Sequence, residues 1–168
     1  MSLPTVLTFP NPVNEKAARS VAAMVVLLSA AVIALQSPWL LLALALGFVA
    51  RVASGPRFSP FGLLATKVVA PRLGPAKLVP GPPKRFAQAI GATLSVTAVL
   101  AFVLGAPVLS WVLVGLITVA AFLESALGFC LGCAIFGRLQ QIGVIPASVC
   151  QACNDIQLGR RAPSVTAP

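Results

Sequence analysis

Residues 86–127 read FAQAIGATLSVTAVLAFVLGAPVLSWVLVGLITVAAFLESAL, two apolar runs of helical length split by Gly105-Ala106-Pro107 and carrying a single charge, Glu124. An apolar slab of about 30 Å takes roughly 20 helical residues to cross. The stretch therefore predicts two membrane spans, at about 86–104 and 108–127, joined by a tight turn. The same pattern stands nearer the N-terminus, at about 18–35 and 38–52, split by Gln36-Ser37-Pro38. Trp39 and Trp111 follow the two turns, where interfacial anchors belong. The second span is short, and Arg51 near its end must reach the headgroups or find a partner.

Composition points the same way. The 168 residues are 58% hydrophobic and 9% charged, with a mean hydropathy of +0.99, too little polar surface to cover a water-soluble globule. With nine Phe, two Trp and no Tyr, helices packed through small and aliphatic side chains fit better than an aromatic-girdled barrel. The expected fold is an all-α membrane protein of four transmembrane helices arranged as two helical hairpins. Histidine is absent, which excludes haem ligation by His, HExxH zinc chemistry and a Ser-His-Asp triad. The expected organisation is a soluble leader over 1–14 without a signal-peptide layout, a transmembrane domain over 15–140 with a basic central loop at 53–85, and a tail over 141–168.

The net charge is +9, and all twelve basic residues fall on one side of this four-span arrangement: Lys16 and Arg19 next to the leader, seven from Arg51 to Arg85, and Arg138, Arg160 and Arg161 after the fourth span. Neither hairpin turn is charged. The positive-inside rule puts both termini, the central loop and all four cysteines on the cytoplasmic side. Within the central loop the prolines forbid a long helix, but Phe61 to Ala70 can form a short interfacial one, with Phe61, Leu64, Val68 and Val69 facing lipid and Lys67 facing headgroups. The basic loop matches a bilayer with anionic headgroups; no nucleic-acid motif accompanies it.

A weak internal repeat runs through the chain. Each half has a basic residue (Arg19, Arg85), a span, a Pro-containing turn, a Trp, a second span with a charge near its inner end (Arg51, Glu124), and then a Gly (Gly55, Gly128). Glu124 is the acidic residue inside a span and needs a partner or a task. An ion pair between Arg51 and Glu124, fixing the second helix against the fourth, is the structural expectation; the functional one is a proton acceptor for nearby thiols. On a continuous helix Glu124 and Cys130 face different sides, so contact between them requires a break at Gly128.

The four cysteines form two CxxC pairs, Cys130 with Cys133 and Cys150 with Cys153, separated by sixteen residues. On the cytoplasmic side permanent structural disulfides are disfavoured, which leaves two readings. One is a closed four-thiolate zinc site, or an iron centre, made by Cys130, Cys133, Cys150 and Cys153. The other is dithiol chemistry, with Cys130 as nucleophile, Cys133 as resolving thiol, and Cys150 and Cys153 as a second relay pair. A helix N-terminus favours a thiolate, and Cys130 gains that position only if Gly128 ends one helix and another begins at the cysteine. Arg138 could offset an unfavourable dipole.

NPVNEKAAR at 11–19, SGPRFSPFGLLATKVV at 54–69, PGPPKRFAQAIGA at 80–92 and above all ESALGFCLGCAIFGRL at 124–139 resemble an uncharacterised bacterial membrane family, domain of unknown function 4395. The resemblance runs from about Asn11 to Asp155. It implies a four-span domain in the bacterial plasma membrane, a functional Cys130–Cys133 pair, and a setting of thioredoxin-like or rhodanese-like partners. The expected function is exchange of disulfides or sulfane sulfur with such a partner through the CxxC pairs. The alternative is a non-enzymatic scaffold or subunit stapled by zinc; a small-solute transporter, supported only by Glu124 and Arg51, is third. A homo-oligomer is compatible with either of the first two.

Overall fold

Proline and glycine set the ends of the helices. Helix α1 (Glu15–Leu35) starts at Asn14, whose side chain accepts from the Lys16 N–H at 3.0 Å, and stops at Gln36 in the left-handed region. Helix α2 (Pro38–Ser54) begins on a proline, whose missing N–H would be unpaired there anyway, and ends at Gly55 with φ 64°. Helix α3 (Pro60–Leu64), capped by Ser59, runs on through a π turn (Ala65–Val69) into a last helical turn (Ala70–Arg72). Helices α4 (Gly81–Val103) and α5 (Pro107–Leu127) form the second hairpin, followed by α6 (Leu131–Gln141) and a 3-10 turn (Ala147–Cys150). The computed structural model describes residues 9–150; the first eight residues and Cys153 with the rest of the tail lie outside the described residues.

Three of these helices, α1, α4 and α5, are long and apolar enough to cross a membrane, and α2 is a shorter apolar helix of 17 residues. Helix α4 starts at Gly81, earlier than the run of apolar residues suggests. Pro82 and Pro83 fall in its first turn, where proline is tolerated, so Lys84 and Arg85 are helical rather than part of a loop. The short helical segment after α2 spans Pro60 to Arg72. It packs on α1, burying the small residues Gly62, Ala65 and Ala70, Gly62 against the Pro56 backbone, and exposes Leu63, Leu64 and Val68, while Phe61 and Val69 are half-buried.

The bundle is built by crossing the hairpins: α1 packs along α5, and α2 along α4, with α4 and α5 also in extensive contact. Val25, Val32, Leu41, Leu44, Ala98, Val114 and Ile117 fill the core. The outside is equally apolar, with Leu27, Leu100, Val119 and Phe122 all more than half exposed, as suits a surface covered by hydrocarbon. Two buried hydroxyls bond within the bundle: Ser29 and Ser95 each donate to the carbonyl three residues back, and Thr118 donates to the Ser29 Oγ at 2.9 Å.

One end of the bundle is closed by the leader. Strand β1 (Val13–Asn14) pairs antiparallel with β2 (Leu78–Val79), the Glu15 N–H donates to the Lys77 carbonyl at 2.8 Å, and the Glu15 carboxylate binds Lys77 Nζ at 2.7 Å. The Gly81 N–H donates to Asn11 Oδ1 at 3.0 Å, and Lys16 Nζ to the Leu73 carbonyl at 2.6 Å. The basic residues thus tie the leader and the central segment together at the end away from the uncharged turns.

Candidate functional site

Helix α5 stops at Gly128, which takes φ 68°; its N–H donates to the Glu124 carbonyl and the Phe129 N–H reaches back to Leu123. A left-handed residue is where glycine has no Cβ penalty, and the chain turns here into a new helix. Arg19 of α1 covers the exposed end of α5, donating from Nε and Nη2 to the Ser125 carbonyl at 3.2 and 3.0 Å and from Nη2 to the Ala126 carbonyl at 3.1 Å. A guanidinium on the last carbonyls of a helix complements both their unpaired acceptors and the negative end of the dipole.

Cys130 is the N-cap of α6: its Sγ accepts from the Cys133 N–H at 3.3 Å. The break at Gly128 therefore gives Cys130 the helix N-terminus that a continuous α5 would have denied it. The two thiols sit three residues apart with Cα atoms 5.2 Å apart, and they are joined as a disulfide. Both residues are half-buried. Helix α6 is held close to α4 by Gly132, where a Cβ would come within 2.5 Å of the Ala87 Cβ, and by Phe86 and Phe136, edge to face at 5.6 Å. The pair is thus mounted on a packed element rather than a free loop.

Glu124 and Arg51 do not pair. Helix α4 packs between α2 and α5 and intercepts both: Lys84 Nζ binds Glu124 Oε1 at 2.6 Å, and one turn further on Gln88 Oε1 accepts from Arg51 Nε at 2.9 Å. The expected ion pair of Arg51 with Glu124 is replaced because its true partner, Lys84, stands in the first turn of α4. Arg51 also donates from Nη1 to Ser59 Oγ at 3.3 Å and lies over the Phe48 ring at 4.4 Å, while its Nη2 is buried without a hydrogen-bond partner among the described residues.

Glu124, Gln88 and Cys130 line one cavity of about 330 Å³ between α1, α4, α5 and α6, otherwise walled by apolar side chains. The break at Gly128 thus brings Cys130 to the same space as Glu124, which sequence periodicity alone set apart. Gln88 and Lys84 escaped the reading of the sequence; the one available signal was their position one turn apart at the start of an apolar run.

Cys150 is buried and is not a free thiol, and Cys153 lies outside the described residues. Among the described residues no three His, Cys, Asp or Glu side chains gather where they could hold a metal ion. The four-thiolate arrangement includes Cys153 and so falls partly outside them.

The fold and the site together define an all-helical protein with membrane-type apolar helices and a CxxC disulfide at the head of a short helix that follows a glycine break. The chain belongs to the family described as Domain of unknown function (DUF4395), whose model matches residues 13–141. The match takes in Cys130 and Cys133 and ends before Cys150. Comparisons with curated proteins and with solved structures found no match.

Proposed function

We propose that this is a four-span protein of the bacterial plasma membrane, with both termini cytoplasmic, that exchanges disulfides or sulfane sulfur with a thioredoxin-like or rhodanese-like partner through Cys130 and Cys133. Support for the fourth span comes from packing: α2 runs along α4 and forms a hairpin with α1, and its 17 residues extend about 26 Å. Support for the orientation comes from the uncharged turns at one end and the bonded Lys16, Arg19, Lys77 and Lys84 at the other.

The observation that carries the chemistry is the position of Cys130 as N-cap of α6, bonded to Cys133 and facing its N–H. When the disulfide opens, the same N–H and the positive end of α6 stabilise the sulfur anion that acts as nucleophile or leaving group. In the forward step the Cys130 thiolate attacks a partner disulfide and expels one partner thiolate. Cys133 then attacks Cys130 Sγ, closes the internal disulfide and releases the reduced partner; the reverse sequence opens the pair. Cys150 and Cys153, beyond the family match, are assigned the secondary relay.

The test is trapping. A Cys133→Ser variant incubated with an oxidised thioredoxin-like protein is expected to form a mixed disulfide at Cys130 that dithiothreitol releases. Absence of an adduct, or an adduct that survives Cys130→Ser, contradicts the assignment. A zinc staple predicts instead that each single Cys→Ser loses metal equally.

A further inference from the structure

The cavity beside Cys130 has walls and a mouth of a particular kind. Its lining includes Leu116, Val119, Leu131 and Ile135, exposed on the outer surface of α5 and α6, so it opens sideways through apolar side chains. In a membrane that mouth faces hydrocarbon, and what enters is dissolved in the bilayer. At the inner end the polar groups are few: Cys130, Gln88 and Glu124. Gln88 is oriented by Arg51, which occupies its Oε1. The capacity left to its amide group is that of a donor. Of the two cysteines, Cys130 lines the cavity and Cys133 does not.

An apolar pocket of about 330 Å³ with a few convergent polar groups has the dimensions of a small-molecule site. A fatty acyl chain would use the walls but none of the polar end. A ligand that uses both has a planar apolar ring with carbonyl acceptors, and beside a dithiol it must take two electrons and two protons together. We propose that the cavity binds a lipid-soluble quinone that reoxidises the Cys130–Cys133 dithiol; this rests on the exchange function proposed above. The balance is closed: the two S–H bonds break and one S–S bond forms. The two electrons and two protons convert the two quinone carbonyls to the two hydroxyls of a quinol. Quinone is the oxidant, and a reduced partner protein returns the pair to the dithiol.

The experiment uses the full chain in lipid nanodiscs, reduced and freed of reductant, mixed with decylubiquinone or a short-chain naphthoquinone. Quinone absorbance and protein thiols are followed together. The expected result is one quinone reduced for each Cys130–Cys133 pair closed, in a background of Cys150→Ser and Cys153→Ser. Val119→Trp, a substitution at the exposed rim that cannot overpack the core, is expected to slow quinone reduction about tenfold at limiting quinone by blocking the mouth. Gln88→Leu should do the same, but it also strips Arg51 of an acceptor, so Val119→Trp decides the matter should that variant fail to fold. Quinone left unreduced, or reduced as fast by Val119→Trp as by the parent, overturns the cavity assignment. If the Cys133→Ser trap still captures a thioredoxin-like protein, the exchange function survives that failure; if neither reaction occurs, both fall.

Discussion

Two junctions in this molecule have the same architecture and different chemistry. After α2 the chain turns at Gly55 with a positive φ, caps a short helix with Ser59, and packs that helix on α1; after α5 it turns at Gly128, again with a positive φ, caps a short helix with Cys130, and packs that helix on α4. Each cap accepts from the N–H three residues on, Gly62 in the first case and Cys133 in the second. The match extends along the helices: ten residues separate Arg19 from Ser29 and Arg85 from Ser95, and both serines bond back to the carbonyl three residues earlier. One scaffold therefore serves twice, once with a hydroxyl that also accepts from Arg51 and once with a sulfur that is also bonded to Cys133.

The largest effect expected is loss of exchange in Cys130→Ser, with the melting temperature nearly unchanged, because serine is itself a good N-cap. Exchange rates with reduced thioredoxin and a thermal melt on one sample read both properties. A matching loss of stability would mean that the second junction is structural like the first. Next in size is Lys84→Met, which leaves the Glu124 carboxylate, only 14% exposed, without its cation. The expected loss is about 3 kcal/mol, with most of it recovered when Glu124→Leu is added. Denaturant titration of the three variants checks this, and no recovery in the double variant would deny the pair. The smallest effect is that of Ser59→Ala, about 2 kcal/mol of stability with exchange intact, because it removes both the cap on the Gly62 N–H and an acceptor of the buried Arg51. A fall in exchange there would show the first junction to be more than a cap.

The helices were legible because uninterrupted apolar runs and proline-marked turns leave few alternatives. The short helix after α2 was legible too, from the apolar residues of Phe61 to Ala70 around Lys67, and the folded chain extends it from Pro60 to Arg72. What the sequence concealed was tertiary. Lys84 follows Gly81-Pro82-Pro83 and reads as loop, although prolines in a first turn are compatible with helix, and this hid the true partner of Glu124. The two-residue ladder of Val13–Asn14 with Leu78–Val79 is too short for any periodic signal. The placement of Cys130 hinged on whether one glycine breaks α5; the residues at 128–130 allowed the break, and the folded chain adopts it. Composition gives no sign of the cavity that then joins Cys130 to Glu124 and Gln88, since its walls are the same Leu, Val and Ala that face lipid elsewhere.

If the Cys130–Cys133 disulfide is a working bond rather than a staple, it opens and closes reversibly in the folded protein. In a Cys150→Ser and Cys153→Ser background, the protein in nanodiscs is equilibrated across a series of thiol–disulfide buffers, and the two thiols are counted by alkylation and mass. A reversible two-electron transition within the range that thioredoxin-like proteins span is expected. A pair that stays oxidised against reduced thioredoxin in the folded protein, and opens only on denaturation, would contradict it.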